Sequence, residues 1–259
     1  MEELARKIRE HVLRMTHRAK CSHVGSCLSI ADILAVLYSG VLNVKPEQPD
    51  WEKRDRFILS KGHACAAVYA VLAECGFFPL EWLDGFYQSG SLLSGHISHQ
   101  VPGVEASTGS LGQGLSIGCG MALATKQKVF VLLGDGDCNE GSTWEAVMFA
   151  RQHCLANLVA IVDYNKIQAL GKTKDVLDLV SLRAKWLAFG WNTIEVDGHD
   201  LLDLVDGLQV KVDIQPHCII AHTIKGKGVS WMENRVEWHY KHPNDEELES
   251  ALKELNRGN

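Results

Sequence analysis

The sequence has no run of about 18 apolar residues, so no membrane-spanning helix is expected. It also has no surplus of positive charge. Lys and Arg number 26 against 32 Asp and Glu, and the net charge of −6 argues against a nucleic-acid binder. The opening Met1-Glu2-Glu3-Leu4 lacks the basic and then apolar order of a secretory signal, and a cytoplasmic protein is expected. No C-x-x-C pair occurs among the eight cysteines, at 21, 27, 65, 75, 119, 138, 154 and 218. Scattered in this way, they read as small apolar fillers of a reduced chain. No H-E-x-x-H or similar spacing supports a zinc hydrolase. Repeats, linkers and low-complexity tracts are absent too. With 259 residues, 46% hydrophobic and 22% charged, one soluble domain spanning 1–259 is expected.

What is present centres on Gly134-Asp135-Gly136. It follows the apolar run Val129-Phe130-Val131-Leu132-Leu133, which reads as a buried parallel strand. Ser142-Thr143-Trp144-Glu145 then reads as a capping box opening a helix. Asp135 thus falls where a strand hands over to a helix, the usual ligand edge of an open α/β sheet. Such loops often hold phosphate, yet Asp135, Asp137 and Glu140 would repel one. A divalent cation removes the conflict by bridging carboxylate to phosphate. A second apolar run, Leu158 to Tyr164, ends at Asn165. The separation, 165 − 135 = 30 residues, is about one strand–helix–strand crossover, which brings Asn165 to the same edge.

Elsewhere, strands and helices alternate. Helices are expected at 2–20, from Ser29 to about Gly40, from Ala64 to Cys75, at Pro79, at 116–125, 175–189, 201–210 and 244–255. Further strands are expected at 56–60, 191–196 and 217–222. Cys21 to Ser26 and the polar stretch 89–109 read as loops, the second long enough to suggest function. The pattern predicts an α/β, doubly wound parallel sheet flanked by helices.

Four of the twelve histidines, His23, His63, His96 and His239, lie in loops near element ends. Imidazole there can move protons near neutral pH. The glycines of Thr108-Gly109-Ser110-Leu111-Gly112-Gln113-Gly114 can expose backbone N–H groups to a ligand.

The Asp135/Asn165 pairing resembles the metal–diphosphate motif of thiamine-diphosphate enzymes. The resemblance implies that Asp135, Asn165 and the Ile167 carbonyl hold Mg²⁺. Ser22-His23-Val24-Gly25, Ser60-Lys61-Gly62-His63-Ala64, Gly95-His96, the 108–114 run, Gly134-Asp135-Gly136 with Glu140-Gly141, Asn165-Lys166-Ile167 and Lys225-Gly226-Lys227-Gly228 resemble transketolase, in the family's order. One departure is Val24, where the family usually has proline. Met232-Glu233-Asn234 and Trp238-His239 resemble separately encoded N-terminal transketolase subunits.

The resemblance implies a thiamine-diphosphate-binding fold and transfer of a two-carbon ketol unit from a ketose to an aldose. It implies cofactor contacts from His63, Gly109, Leu111, Asp135, Gly136, Asn165 and His239. Catalytic roles fall to His23, His96, His239 and Glu140, the last near a subunit interface. His99, His199 and Asp163 read as structural.

Three other classes compete with this reading. A nucleotide-binding dehydrogenase is disfavoured by its G-x-G-x-x-x-x-G spacing and by an Asp where pyrophosphate must approach. A zinc hydrolase lacks its motif, and a non-catalytic assembly protein of the same fold would not need the ligand set. Pentose-phosphate metabolism and a dedicated sugar-biosynthesis pathway both stay open. In the family, the carboxylate that activates the aminopyrimidine comes from a pyrimidine-binding domain. No sheet follows the charged stretch 245–249 and the polar tail 256–259 to supply that domain. The expected partner is therefore a C-terminal transketolase subunit, in a dimer of heterodimers. Sugars are the expected substrates, with no nucleic acid and no membrane.

Overall fold

In the computed structural model, which describes residues 1–211 and 213–257, five strands form one parallel sheet. They are β1 (Arg56–Leu59), β2 (Val129–Gly134), β3 (Leu158–Tyr164), β4 (Asn192–Asp197) and β5 (His217–His222), in the order β1-β2-β3-β5-β4. β2, β3 and β5 are buried nearly throughout, as their unbroken apolar runs require. Successive side chains point to opposite faces, so each strand feeds two cores. Phe130, Leu132, Ile161 and Ile219 join the core under α1 (Glu2–Ala19), α2 (Val24–Leu28), α3 (Ala31–Val36), α4 (Cys65–Glu74) and, further along, α9 (Leu201–Leu208). Val131, Leu133, Ala160 and Ile220 join the other, with α5 (Gly114–Ala124), α6 (Gly141–Gln152) and α8 (Leu182–Ala188). The sheet is therefore doubly wound, as the alternation predicted. α7 (Thr173–Leu177) lies between β3 and α8, and α10 (Asp245–Arg257) closes against α1. Among the described residues no helix is long and apolar enough to cross a membrane.

Several expectations are corrected. The loop expected at 21–26 gives way to α2 from Val24 onward, and the helix expected from Ser29 is α3, which ends in a wide turn at Leu37–Val41. The helix expected at Pro79 is a 3₁₀ turn, Leu80–Gly85. The capping box does not form. Glu140 occupies the N-cap of α6, while Ser142 Oγ donates to Gly112 O at 3.0 Å. The helix expected over 175–189 is two helices with a break at 178–181. Asp178 Oδ1 accepts from Val180 N and Ser181 Oγ accepts from Ala184 N, so short polar side chains divert the backbone from a continuous helix. A 3₁₀ turn at Val236–His239 carried no predicted element. Of the polar tail expected at 256–259, residues 258 and 259 lie outside the described residues.

Two glycines of α5 separate close packing from helix propensity. A Cβ at Gly118 would sit 2.5 Å from Val131 Cγ2, whereas one at Gly120 would meet nothing within 4 Å. Gly118→Ala is expected to destabilise the chain by about 1–3 kcal/mol through overpacking. Gly120→Ala should stabilise it by roughly 0.5–1 kcal/mol. Urea unfolding of both variants checks the opposite signs.

Candidate active site

The loops that leave the carboxyl ends of β1, β2, β3 and β5 enclose a cavity of about 320 Å³. The long stretch 89–109 is pinned against it. Ile97 N donates to Gly62 O at 3.0 Å, Thr108 Oγ1 to Leu59 O at 2.5 Å, and Tyr69 Oη to His96 O at 3.1 Å. A larger open groove of about 630 Å³ surrounds Arg9, Asp32 and His199. Its central charges already pair with one another, so the smaller cavity, on which two lysines, two carboxylates and four histidines converge, is the candidate site.

One wall is charged. Asp135 is 5% exposed, and its Oδ1 and Oδ2 accept from Gly136 N (2.9 Å) and Thr173 Oγ1 (2.5 Å). Burial pushes its carboxyl up, the Thr173 hydrogen bond opposes that, and the nearby Asp163 charge adds to it. Such a carboxylate is short of a cation. Asn165 and Ile167 line the same cavity. Lys225 Nζ reaches Ile167 O at 3.0 Å and His239 Nδ1 at 2.9 Å, so a positive charge already sits on the carbonyl expected to face a metal. Burial, aided by Lys61, lowers the Lys225 ammonium to about 8. Among the described residues no three His, Cys, Asp or Glu form a metal cluster. One carboxylate, one amide oxygen and one carbonyl cannot complete an octahedron. They suit an ion that draws its remaining ligands from phosphate oxygens and water, as Mg²⁺ does. Asp137, expected to repel phosphate, is turned inward. Its carboxylate accepts from Ser60 Oγ and Gly112 N, both at 2.7 Å, and from Gly134 N at 2.8 Å, stapling the turn.

The opposite wall is imidazole. The His23 ring centroid lies 5.0 Å from that of His63, 5.9 Å from His96 and 5.1 Å from His239. His23 takes a left-handed φ of 79° while its N–H donates to His239 O at 2.8 Å. A Cβ on Gly109 would lie 3.1 Å from the His96 ring, so glycine leaves that imidazole its place. Lys225 donates to His239 Nδ1, which leaves the His239 proton on Nε2.

The sequence placed ten residues here that do converge: His23, His63, His96, Gly109, Leu111, Asp135, Gly136, Asn165, Ile167 and His239. Glu140 does not line the cavity; it is exposed at the α6 N-cap beside Gly112. Lys61 and Lys225, respectively 2% and 1% exposed, were missed as site residues, although each sits inside a quoted motif. A lysine two or three residues past the carboxyl end of a strand was the available signal. His99 is exposed and bonds Ser107, whereas His199 is half-buried between Asp32 Oδ2 (2.6 Å) and Ile224 N (2.8 Å).

Burial, then neighbouring charges, hold His23 down to about 4 and His239 to about 3, and His63 well below its ordinary value. In the unfolded chain imidazoles titrate near about 6.5. Between those values the unfolded state binds more protons, so stability falls as pH drops from about 6.5 towards 4. The urea midpoint of the free chain should decline from pH 7 to pH 5, and less steeply in His23→Asn. A midpoint that holds or rises on acidification contradicts this charge assignment.

A family profile described as "Transketolase, thiamine diphosphate binding domain" matches residues 1–256. The chain is 42% identical to one of the subunits named for apulose-4-phosphate transketolase, from Phocaeicola vulgatus, covering 98% of this chain and 93% of that protein. It is 38% identical to "6-deoxy-6-sulfo-D-fructose transketolase subunit SqwG" of a Clostridium species, over 99% of this chain and 96% of that one. The crystal structure of Campylobacter jejuni transketolase superposes with a TM-score of 0.94 at 32% identity. That match covers 98% of this chain and 42% of the longer protein, so the chain spans about two-fifths of a full-length transketolase. The chain belongs to the transketolase family, as the thiamine diphosphate binding domain of a transketolase-type transferase.

Proposed function

We propose that the chain is one subunit of a divided transketolase. It would bind thiamine diphosphate through Mg²⁺ and act with a second polypeptide to move a two-carbon ketol unit from a ketose, free or phosphorylated, to an aldose. The single observation that carries this reading is the meeting of Asp135, Asn165 and Ile167 O with four histidines and two buried lysines in one cavity. When bound, thiamine diphosphate supplies the stabilisation of carbanion character that breaking and forming the ketol C–C bond requires.

The chain's own residues would bind and orient the cofactor and the sugar. Asp135, Asn165 and Ile167 O would hold the cation, and Gly136 would give the diphosphate backbone access. Lys61 and Lys225 would balance the charge of the diphosphate, and His63 and His239 would bind it through N–H groups. Gly109 and Leu111 would present backbone groups to the aminopyrimidine. His23 and His96 would face the sugar. His23, uncharged at neutral pH, would accept a hydrogen bond from a substrate hydroxyl.

A covering partner is supported by exposed apolar side chains: Leu170, which lines the cavity, and Leu177 and Val180, in the segment after it, are 82%, 57% and 76% exposed. We assign that partner the pyrimidine-binding domain, in a dimer of heterodimers with Glu140 near the contact between active sites. Relatives that carry the name of a single transketolase subunit, and match almost end to end, support the need for a second subunit. Eight free cysteines suit the cytoplasm. The relatives named for apulose-4-phosphate and sulfofructose favour a dedicated sugar pathway.

The test is a coupled ketol-transfer assay with thiamine diphosphate and Mg²⁺, with and without the co-purifying polypeptide. Turnover should require both chains. Asp135→Asn should weaken cofactor binding by on the order of 100-fold, as removal of one partner of a buried charged contact does. Full turnover by this chain alone, or unchanged cofactor affinity in Asp135→Asn, contradicts the proposal.

A further inference from the structure

Asp163, at the end of β3, has no solvent exposure, yet four side-chain donors converge on it. Its Oδ2 accepts from Lys61 Nζ at 2.5 Å, Ser29 Oγ at 2.8 Å and Asn165 Nδ2 at 3.1 Å, and its Oδ1 accepts from the Thr223 hydroxyl. These donors follow β1, α2, β3 and β5, so one carboxylate ties together the loops that build the cavity. Two of the four, Lys61 and Asn165, line that cavity.

An amide side chain has an oxygen end and an NH₂ end of nearly the same shape, and its orientation is fixed by its partners. An ionised carboxylate only accepts hydrogen bonds. Asn165 can therefore turn only its NH₂ towards Asp163, which leaves Oδ1 on the side of Ile167 N, at 3.1 Å. A flipped amide would offer NH₂ protons to a cation instead of an oxygen. The same carboxylate, with Ser26 O at 3.2 Å, uses two of the three protons of Lys61 Nζ and leaves the third for an anion in the cavity.

We propose that Asp163 is a positioning residue for the metal–diphosphate site, fixing Asn165 oxygen-first towards the cation and anchoring the Lys61 ammonium. This rests on the reading of Asp135 and Asn165 as cation ligands.

The test measures Mn²⁺ affinity by electron paramagnetic resonance at saturating thiamine diphosphate. It uses the full-length chain as purified, with any polypeptide that accompanies it. Asp163→Asn keeps the shape but can both donate and accept, so one of the two contacts that distinguish the ends of the Asn165 amide is lost and only the Ile167 N–H still selects the oxygen. Mn²⁺ binding should weaken by about tenfold or more, the usual cost of losing an outer-shell partner. The exchange Asp163→Asn/Asn165→Asp should restore affinity, because a carboxylate at 165 offers oxygen either way round. Ser29→Ala and Thr223→Val should lower the unfolding midpoint while leaving Mn²⁺ affinity unchanged.

Wild-type affinity in Asp163→Asn, an exchange variant no better than Asp163→Asn, or equal losses in the Ser29 and Thr223 variants overturns the proposal. Should Asp163→Asn fail to fold, Asn165→Asp alone, which sets two carboxylates face to face, must bind Mn²⁺ more weakly than the exchange. The reverse order overturns it. Unchanged affinity in Asp135→Asn overturns the cation-site reading and this inference with it, whereas unchanged affinity in Asp163→Asn alone overturns only the inference.

Discussion

Five charged side chains, Asp135, Asp137, Asp163, Lys61 and Lys225, lie almost out of water at one edge of the sheet. Three carboxylates against two ammonium groups leave a formal −1, with His23, His63 and His239 held neutral by burial. Buried charge is tolerated only where it is paired and hydrogen-bonded. Asp163 and Asp137 meet that condition with protein donors. Asp135 has only a hydroxyl and its neighbour's N–H, and burial raises its pKa as a result. The rest of the site follows from that deficit.

The parallel sheet makes this concentration of charge possible. Every strand presents its carboxyl end to the same edge, so loops distant in sequence converge there without long side chains. The pairing of Gly134 with Asp163, and of Asp163 with Ala221, sets the ends of β2, β3 and β5 level. Close approach does the rest. Gly25 lets Lys225 and Trp238 come down on α2, since a Cβ there would lie 3.2 Å from both Lys225 Cγ and Trp238 O. The valine standing where the family usually has proline leaves this packing intact, for Val24 is buried at the first position of α2.

The sheet and most of the site were legible in the sequence because their signals are local. Unbroken apolar runs mark buried strands, and a crossover of 30 residues places Asn165 beside Asp135. Apart from the helix broken at 178–181 by its own short polar side chains, what the sequence did not show was side chains whose partners are remote. Asp163 read as a strand-end residue because its donors Ser29, Lys61 and Thr223 lie 134, 102 and 60 positions away. His199 read as structural, and its place between Asp32 and Ile224 N agrees, but Asp32, 167 positions distant, could not be named as its partner. The capping box failed because Gly112, 30 residues back, took the Ser142 hydroxyl. Periodicity reports which face is buried, not which polar groups meet there.

The central claim is that the deficit at Asp135 is filled by a cation which takes over the Ile167 carbonyl from Lys225. A crystal structure with thiamine diphosphate and Mn²⁺ in place of Mg²⁺ tests this through the anomalous signal of the metal. The account predicts a peak about 2.1 Å from a carboxylate oxygen of Asp135, Asn165 Oδ1 and Ile167 O, with Lys225 Nζ withdrawn from the carbonyl. A metal bound elsewhere, or Lys225 still seated on Ile167 O beside a bound cofactor, would contradict it.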